Sequence, residues 1–240
     1  MIGIFNISNY AYNFYAVPVF LSGLFIFILG LIIIKKNPSG LRNRAFFILS
    51  IIFATWLISE SFAYSVKQGN LEVALFWGKN LSWGASLFIP VFTYLLAILW
   101  HKEQYEKRKN LFFFFLVITA ASFLINFFSN LFIKGVVYHF YGYYPYYTQL
   151  GAAYFIFWTI PSLLSIYEIA YAVKQEKSPV LKGNIRIIFI SYLISYISSI
   201  DHLPIFLPQL PMLYPIGYIS MFFYSSFLFL QVLESNLNNM

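Results

Sequence analysis

Seven long apolar runs separated by short polar turns dominate the chain, and they predict its elements directly. The runs cover approximately 14–34, 44–66, 74–100, 111–133, 151–173, 185–203 and 213–233. Each is near the roughly 20 residues that a helix needs to cross about 30 Å of hydrocarbon. Backbone polar groups cannot be left unpaired in lipid, so only helices or a closed barrel can span. The runs are continuous rather than alternating, which argues against a barrel. The start of the third run is the least sharply defined, because Lys79 and Asn80 fall near it. The predicted fold class is therefore all-α: a polytopic bundle of seven transmembrane helices, with residues 1–240 forming one domain.

Composition agrees with this pattern. The chain is 60% hydrophobic and 22% aromatic, with only 10% charged residues, far more apolar surface than one soluble core can hide. There is no cysteine, which removes disulfides, thiolate chemistry and cysteine metal sites. The N-terminus lacks a basic start and a small-residue cleavage site, so no cleaved signal peptide is expected.

Charge sets the orientation. Twelve of the fifteen Lys and Arg residues lie in alternate turns, leaving Lys67, Lys79 and Lys134 on the other side. The positive-inside rule then places the N-terminus outside and the C-terminus in the cytoplasm of a multi-pass protein of the cytoplasmic membrane. The net charge of +7 thus reads as a topology signal, reinforced by anionic lipid heads, and not as a nucleic-acid surface.

Charged groups at membrane depth are costly and usually face a bundle interior or a wet cavity. Three acids lie within the predicted spans, Glu60, Glu168 and Asp201, with His202 directly after the last. Glu60 and Asp201 each come about 16 residues into ascending helices and should share the outer third. Glu168 lies in a descending helix, near the inner third. Trp56, Glu60 and Tyr64 form a stripe at spacing four; Ser191, Ser195, Ser198 and His202 form another; Pro161, Ser165 and Glu168 line up on the fifth helix.

Simpler roles are equally open. The serines can bond within a packed interface or back to their own helix. Glu60 can pair with Lys67 or Lys79, and Glu168 with a basic residue reaching up from the inner face. Asn126 and Asn130, four apart, read as bridges to a neighbouring helix. Pro18, Pro90, Pro161 and Pro215 fall one in each descending helix, where they permit kinks or hinges. Gly23 and Gly30 suggest close helix contact. The tyrosine-rich stretch Lys134–Gly151 is expected as the longest external loop, serving as an aromatic belt or as a lid through Tyr138–Tyr147.

Several functions lack their residues. The predicted seventh helix has no lysine for a retinal Schiff base. No phosphate-binding glycine loop, His-x-x-x-His or Gly-x-Ser-x-Gly occurs. Neither enzyme activity, nor a metal, nor a cofactor is expected.

The stretches "NPSGLRNRAFFILSIIFATWLIS", "SWGASLFIPVFTYLLA" and "DHLPIFLPQLPMLYPIG" resemble the N-terminal seven-helix sensor region of bacterial and archaeal histidine kinases and diguanylate cyclases. The resemblance implies a membrane input module whose last helix feeds a cytoplasmic signalling domain. Only "ESNLNNM" follows the seventh run, so the expectation is either a sensor fragment or a free-standing relative with a cytoplasmic signalling partner.

The expected function is thus a sensory module binding a small ligand, lipid or ion in an outward-facing pocket built from Glu60, Trp56, Tyr64, Asp201, His202 and Ser198. Glu168, Pro161 and Pro215 would carry the signal or a proton path. A small-substrate or proton-coupled transporter is the rival, and a purely anchoring subunit a third reading. A homodimer is compatible with any of them.

Overall fold

A computed structural model describes residues 3–100, 102–197, 226 and 229. Apart from 226 and 229, the predicted seventh helix lies outside the described residues, as do residues 198–203 of the sixth, and with them Ser198, Asp201, His202 and Pro215. Within them six helices run in alternate directions: α1 (Ala16–Lys36), α2 (Leu41–Ser65), α3 (Leu71–Ile98), α4 (Lys102–Phe128), α5 (Gln149–Gln175) and α6 (Pro179–Ile197). The first five are long and apolar enough to cross a membrane, which makes this a membrane protein. One end of the bundle carries the Lys- and Arg-rich turns and is called the basic end below.

The other end is capped by a feature that the apolar pattern did not announce. Most of the expected tyrosine-rich loop is an antiparallel β-hairpin, β1 (Ile133–His139) with β2 (Gly142–Tyr147), its register running from Ile133 opposite Tyr147 to His139 opposite Gly142. Valines and tyrosines favour a pleated surface, and Gly142 adopts the φ of +125° that the tight turn requires. Because β1 starts at Ile133, α4 stops at Phe128, short of the predicted 133. At its other end α4 begins at Lys102 rather than near 111, because Lys, Glu, Gln and Arg are good helix formers even outside lipid.

The central helix is α3. Of its most apolar window 72% is buried, against 22% for α5, so α3 is enclosed while α5 keeps a broad face for lipid. It is also irregular. Leu75–Trp83 is π-helical, and the helix breaks at residues 87–88 before resuming at Ile89. Pro90 explains the break: lacking an N–H, it cannot bond the Ser86 carbonyl one turn back. The Trp158 indole of α5 donates to that carbonyl instead, at 3.1 Å.

The α1–α2 contact depends on small residues. A Cβ added at Gly30 would lie 2.6 Å from Ser50 Cβ and 2.8 Å from its Oγ. Gly30→Val is therefore expected to cost about 1–3 kcal/mol through overpacking, lowering the thermal midpoint of the detergent-solubilised protein. Gly183→Ala on α6, where no atom lies within 4 Å, is the control and should be neutral or slightly stabilising.

Candidate functional site

Glu60 is 2% exposed, near the hairpin end of α2. Its carboxylate accepts a hydrogen bond from the Ser82 hydroxyl of α3. Neither lysine that could have neutralised it from the interface is directed there. Lys67 Nζ donates to the Ser8 carbonyl at 2.8 Å. Lys79 Nζ donates to the Ser129 carbonyl and to Asn130 Oδ1, both at 2.6 Å. Lys79 is itself only 6% exposed. Thus a buried acid and a buried ammonium sit on one end of the bundle, the ammonium held by neutral oxygens.

The π-helical segment produces this arrangement. Lys79 and Ser82 are three residues apart, near enough to share one face of a regular α-helix. Within the wider turns they reach different neighbours: Ser82 meets α2, and Lys79 meets the segment just past α4. Asn126 on α4 also donates to the Lys79 carbonyl, at 3.3 Å. Asn126 and Asn130 therefore do bridge to a neighbouring helix. π-Helical segments of this kind occur frequently at functional sites.

The hairpin closes the site from above. The Asn13 side-chain amide donates to the Tyr64 carbonyl at 2.7 Å and to the Tyr141 carbonyl at 2.8 Å, clamping the end of α2 to the turn of the hairpin. The rings of Tyr64 and Tyr141 meet edge to face, their centroids 5.2 Å apart. Tyr143 accepts the Gly69 N–H at 2.8 Å. At the far end of β2, the Tyr147 phenol hydrogen-bonds with the Trp83 indole and is influenced by the Glu60 carboxylate. Burial, and next the Glu60 carboxylate, push that phenol well above its usual range, only partly offset by the hydrogen bond to Trp83. It therefore stays protonated.

The predicted residues separate into three groups. Trp56, Glu60 and Tyr64 lie on α2, the first half-buried and the others buried, with Tyr64 committed to the hairpin. Ser198, Asp201 and His202 are outside the described residues, so their proximity to Glu60 stays a sequence expectation. Glu168 belongs to the basic end. It is 3% exposed, pairs with Arg108 Nε at 2.9 Å and accepts from Gln104 Nε2 at 3.1 Å. Pro161 lies two turns away on the same buried face of α5, where Ser165 Oγ donates to its carbonyl at 2.7 Å. Ser191 likewise bonds back to the Ile187 carbonyl, at 2.8 Å, the simpler of its two readings.

Sequence reasoning placed Tyr147 only within the expected Tyr138–Tyr147 lid, and it missed Ser82 and Trp83 at the hairpin end and Gln104 and Arg108 as partners of Glu168. The last two had a signal. They stand four apart at the start of α4, one helical face, in a charged stretch that suits a turn equally well.

His139 introduces a pH dependence outside the membrane-spanning helices. Its ring stacks on Tyr141, with centroids 5.4 Å apart, and burial lowers its pKa below the usual 6.5. The undocked hairpin then binds a proton more readily than the docked one. Docking is thus fully favoured above 6.5 and weakens as pH falls through the lower, docked-state value. Hydrogen exchange of residues 133–147 should accelerate on acidification from pH 7.5 to 5. His139→Gln should remove that acceleration.

No known protein family, no curated protein and no solved structure matches this chain.

Proposed function

We propose that this chain is a sensory module of the cytoplasmic membrane, with the hairpin end outside and the basic end in the cytoplasm. A small ligand, lipid or ion acts at the hairpin end, and the seventh helix passes the change to a cytoplasmic output domain or partner. The observation that carries this reading is the docking of an extramembrane hairpin onto the end of α2 that buries Glu60, through the Asn13 clamp and the Tyr64–Tyr141 ring contact. Tyr147 is part of that hairpin, and its phenol is coupled electrostatically to the Glu60 carboxylate. Displacing the hairpin therefore changes the solvation of Glu60, and a change of charge at Glu60 changes the fit of the hairpin. A ligand that binds the docked and undocked arrangements unequally shifts the balance between them. The basic turns support the orientation. The resemblance to seven-helix sensor regions supports the class.

The test is a fusion of the chain through its C-terminus to a histidine-kinase output with a transcriptional reporter. Glu60→Gln and Tyr147→Phe should each fix the output at one level, whatever the external pH or medium. Asp201→Asn and His202→Ala probe the rest of the predicted pocket. Wild-type regulation in all four variants would remove the assignment.

A transporter is the second reading, favoured by one observation. A polar cleft opens beside Glu168 at the basic end, so polar groups stand at both ends of the bundle. Substrate uptake into liposomes that Glu168→Gln abolishes would decide for it.

A further inference from the structure

At the basic end a cleft of about 510 Å³ opens between α4 and α5. Its walls include Glu103, Gln104, Lys107 and Arg108 from the first turns of α4, and Tyr167 and Glu168 from α5. The α4 residues precede the long apolar run that starts at Leu111. With that run in hydrocarbon, the cleft lies at headgroup level. Tyr167 is 55% exposed, and Tyr171, four residues on, is 42% exposed. Tyrosines so placed commonly line the membrane–water interface.

The free valences of this cleft describe its occupant. Glu168 is committed through one oxygen to Arg108 and through the other to Gln104. Arg108 gives only its Nε to that pair, and its terminal amino groups have no hydrogen-bond partner among the described residues. Lys107 and Glu103 are 3.9 Å apart, with side chains 74% and 89% exposed. Such an exposed, long pair is held weakly and opens easily. Gln104 Oε1 is buried and accepts no hydrogen bond. The cleft therefore offers cationic donors at Lys107 and Arg108 and an acceptor at Glu103, the Gln104 oxygen being shut off from its surface. Two cations against two carboxylates give a simple anion no net attraction, and a simple amine none either. A molecule carrying both charges satisfies both sets.

We propose that this cleft binds a zwitterion of the phosphoethanolamine class. The phosphate lies against Lys107 and the terminal amino groups of Arg108, and the primary ammonium lies against the Glu103 carboxylate. The same headgroup chemistry is carried by a membrane phospholipid and by its soluble, deacylated form. The site depends on the basic end lying at a lipid interface, and is independent of any sensing at the hairpin end.

The experiment is native mass spectrometry of the full chain in detergent, titrated with phosphatidylethanolamine, phosphatidylcholine or phosphatidylglycerol. Choline keeps the phosphate but has no N–H to donate. Loss of one charge-assisted hydrogen bond corresponds to about tenfold in affinity, so phosphatidylethanolamine should bind about tenfold tighter than phosphatidylcholine. Glu103→Gln should bring that ratio close to one, and Lys107→Ala should weaken both lipids. Both positions are exposed, so neither variant threatens the fold. Soluble glycerophosphoethanolamine identifies the source: displacement of the lipid at comparable concentration means the free headgroup suffices, and no displacement means the acyl chains are required. Phosphatidylglycerol binding as tightly as phosphatidylethanolamine would overturn the proposal in favour of a plain basic patch. A ratio unchanged by Glu103→Gln would overturn it as well.

Discussion

Gly142→Ala is expected to detach the β-hairpin from the bundle, with a loss of several kcal/mol in the stability of that contact. Two independent effects add. At φ +125° a residue with a side chain is strained, by about 1–3 kcal/mol. The added Cβ would also overlap the Cα and carbonyl of Tyr64. That obstacle is helix backbone in the last turn of α2, not the flexible end of a side chain, so it cannot step aside cheaply. Undocking would break the Asn13 clamp and uncover Glu60. The expected observations are rapid hydrogen exchange across residues 133–147 and new proteolysis near Tyr138, while α1 and the basic end keep wild-type protection. In the reporter fusion, output should match that of Glu60→Gln if the hairpin is the input element. Wild-type exchange in the hairpin would show that the docked geometry is not maintained in solution.

The helices were legible in the sequence because lipid asks little of them: a helix there must be apolar and long enough, and both are read by counting. Their ends were less legible, since a charged stretch such as Lys102–Asn110 continues a helix as readily as it forms a turn. The hairpin was hidden by its composition. Tyrosine at an interface has an ordinary anchoring explanation, and the alternation of two short strands is weak beside apolar runs of twenty. That Glu60 and Glu168 lie toward opposite ends of the bundle was readable from residue counts, and so was the bridging by Asn126 and Asn130. Their partners were not. Ser82 reaches Glu60 only because α3 is π-helical there, and no simple periodicity in Leu75–Trp83 signals the change of pitch. The partner of Glu168 was anticipated in kind, as a basic residue from the inner side, but not in identity.

Arg108→Met is expected to be the most damaging single change at the basic end, and far worse than Glu168→Gln. The asymmetry follows from burial. Glu168 is 3% exposed and Arg108 44%. Removing the arginine leaves a buried carboxylate with only the Gln104 amide, and an unpaired buried charge costs about 3–5 kcal/mol. Water reaches part of the pair and screens it, so the lower end, about 3 kcal/mol, is expected. Glu168→Gln instead frees a guanidinium that can turn to water and leaves an amide able to keep a hydrogen bond, for a loss of about 1 kcal/mol. The double variant should then recover most of what Arg108→Met loses, since the orphaned charge is gone. Thermal midpoints of the four proteins in one detergent give the coupling directly, as a double-mutant cycle. If Glu168→Gln proves as harmful as Arg108→Met, the carboxylate does more than balance Arg108, and the liposome uptake experiment becomes the decisive one. If the double variant matches wild type, the pair adds no net stability over its neutral replacement, and a proton path through Glu168 is decided by the liposome uptake experiment alone.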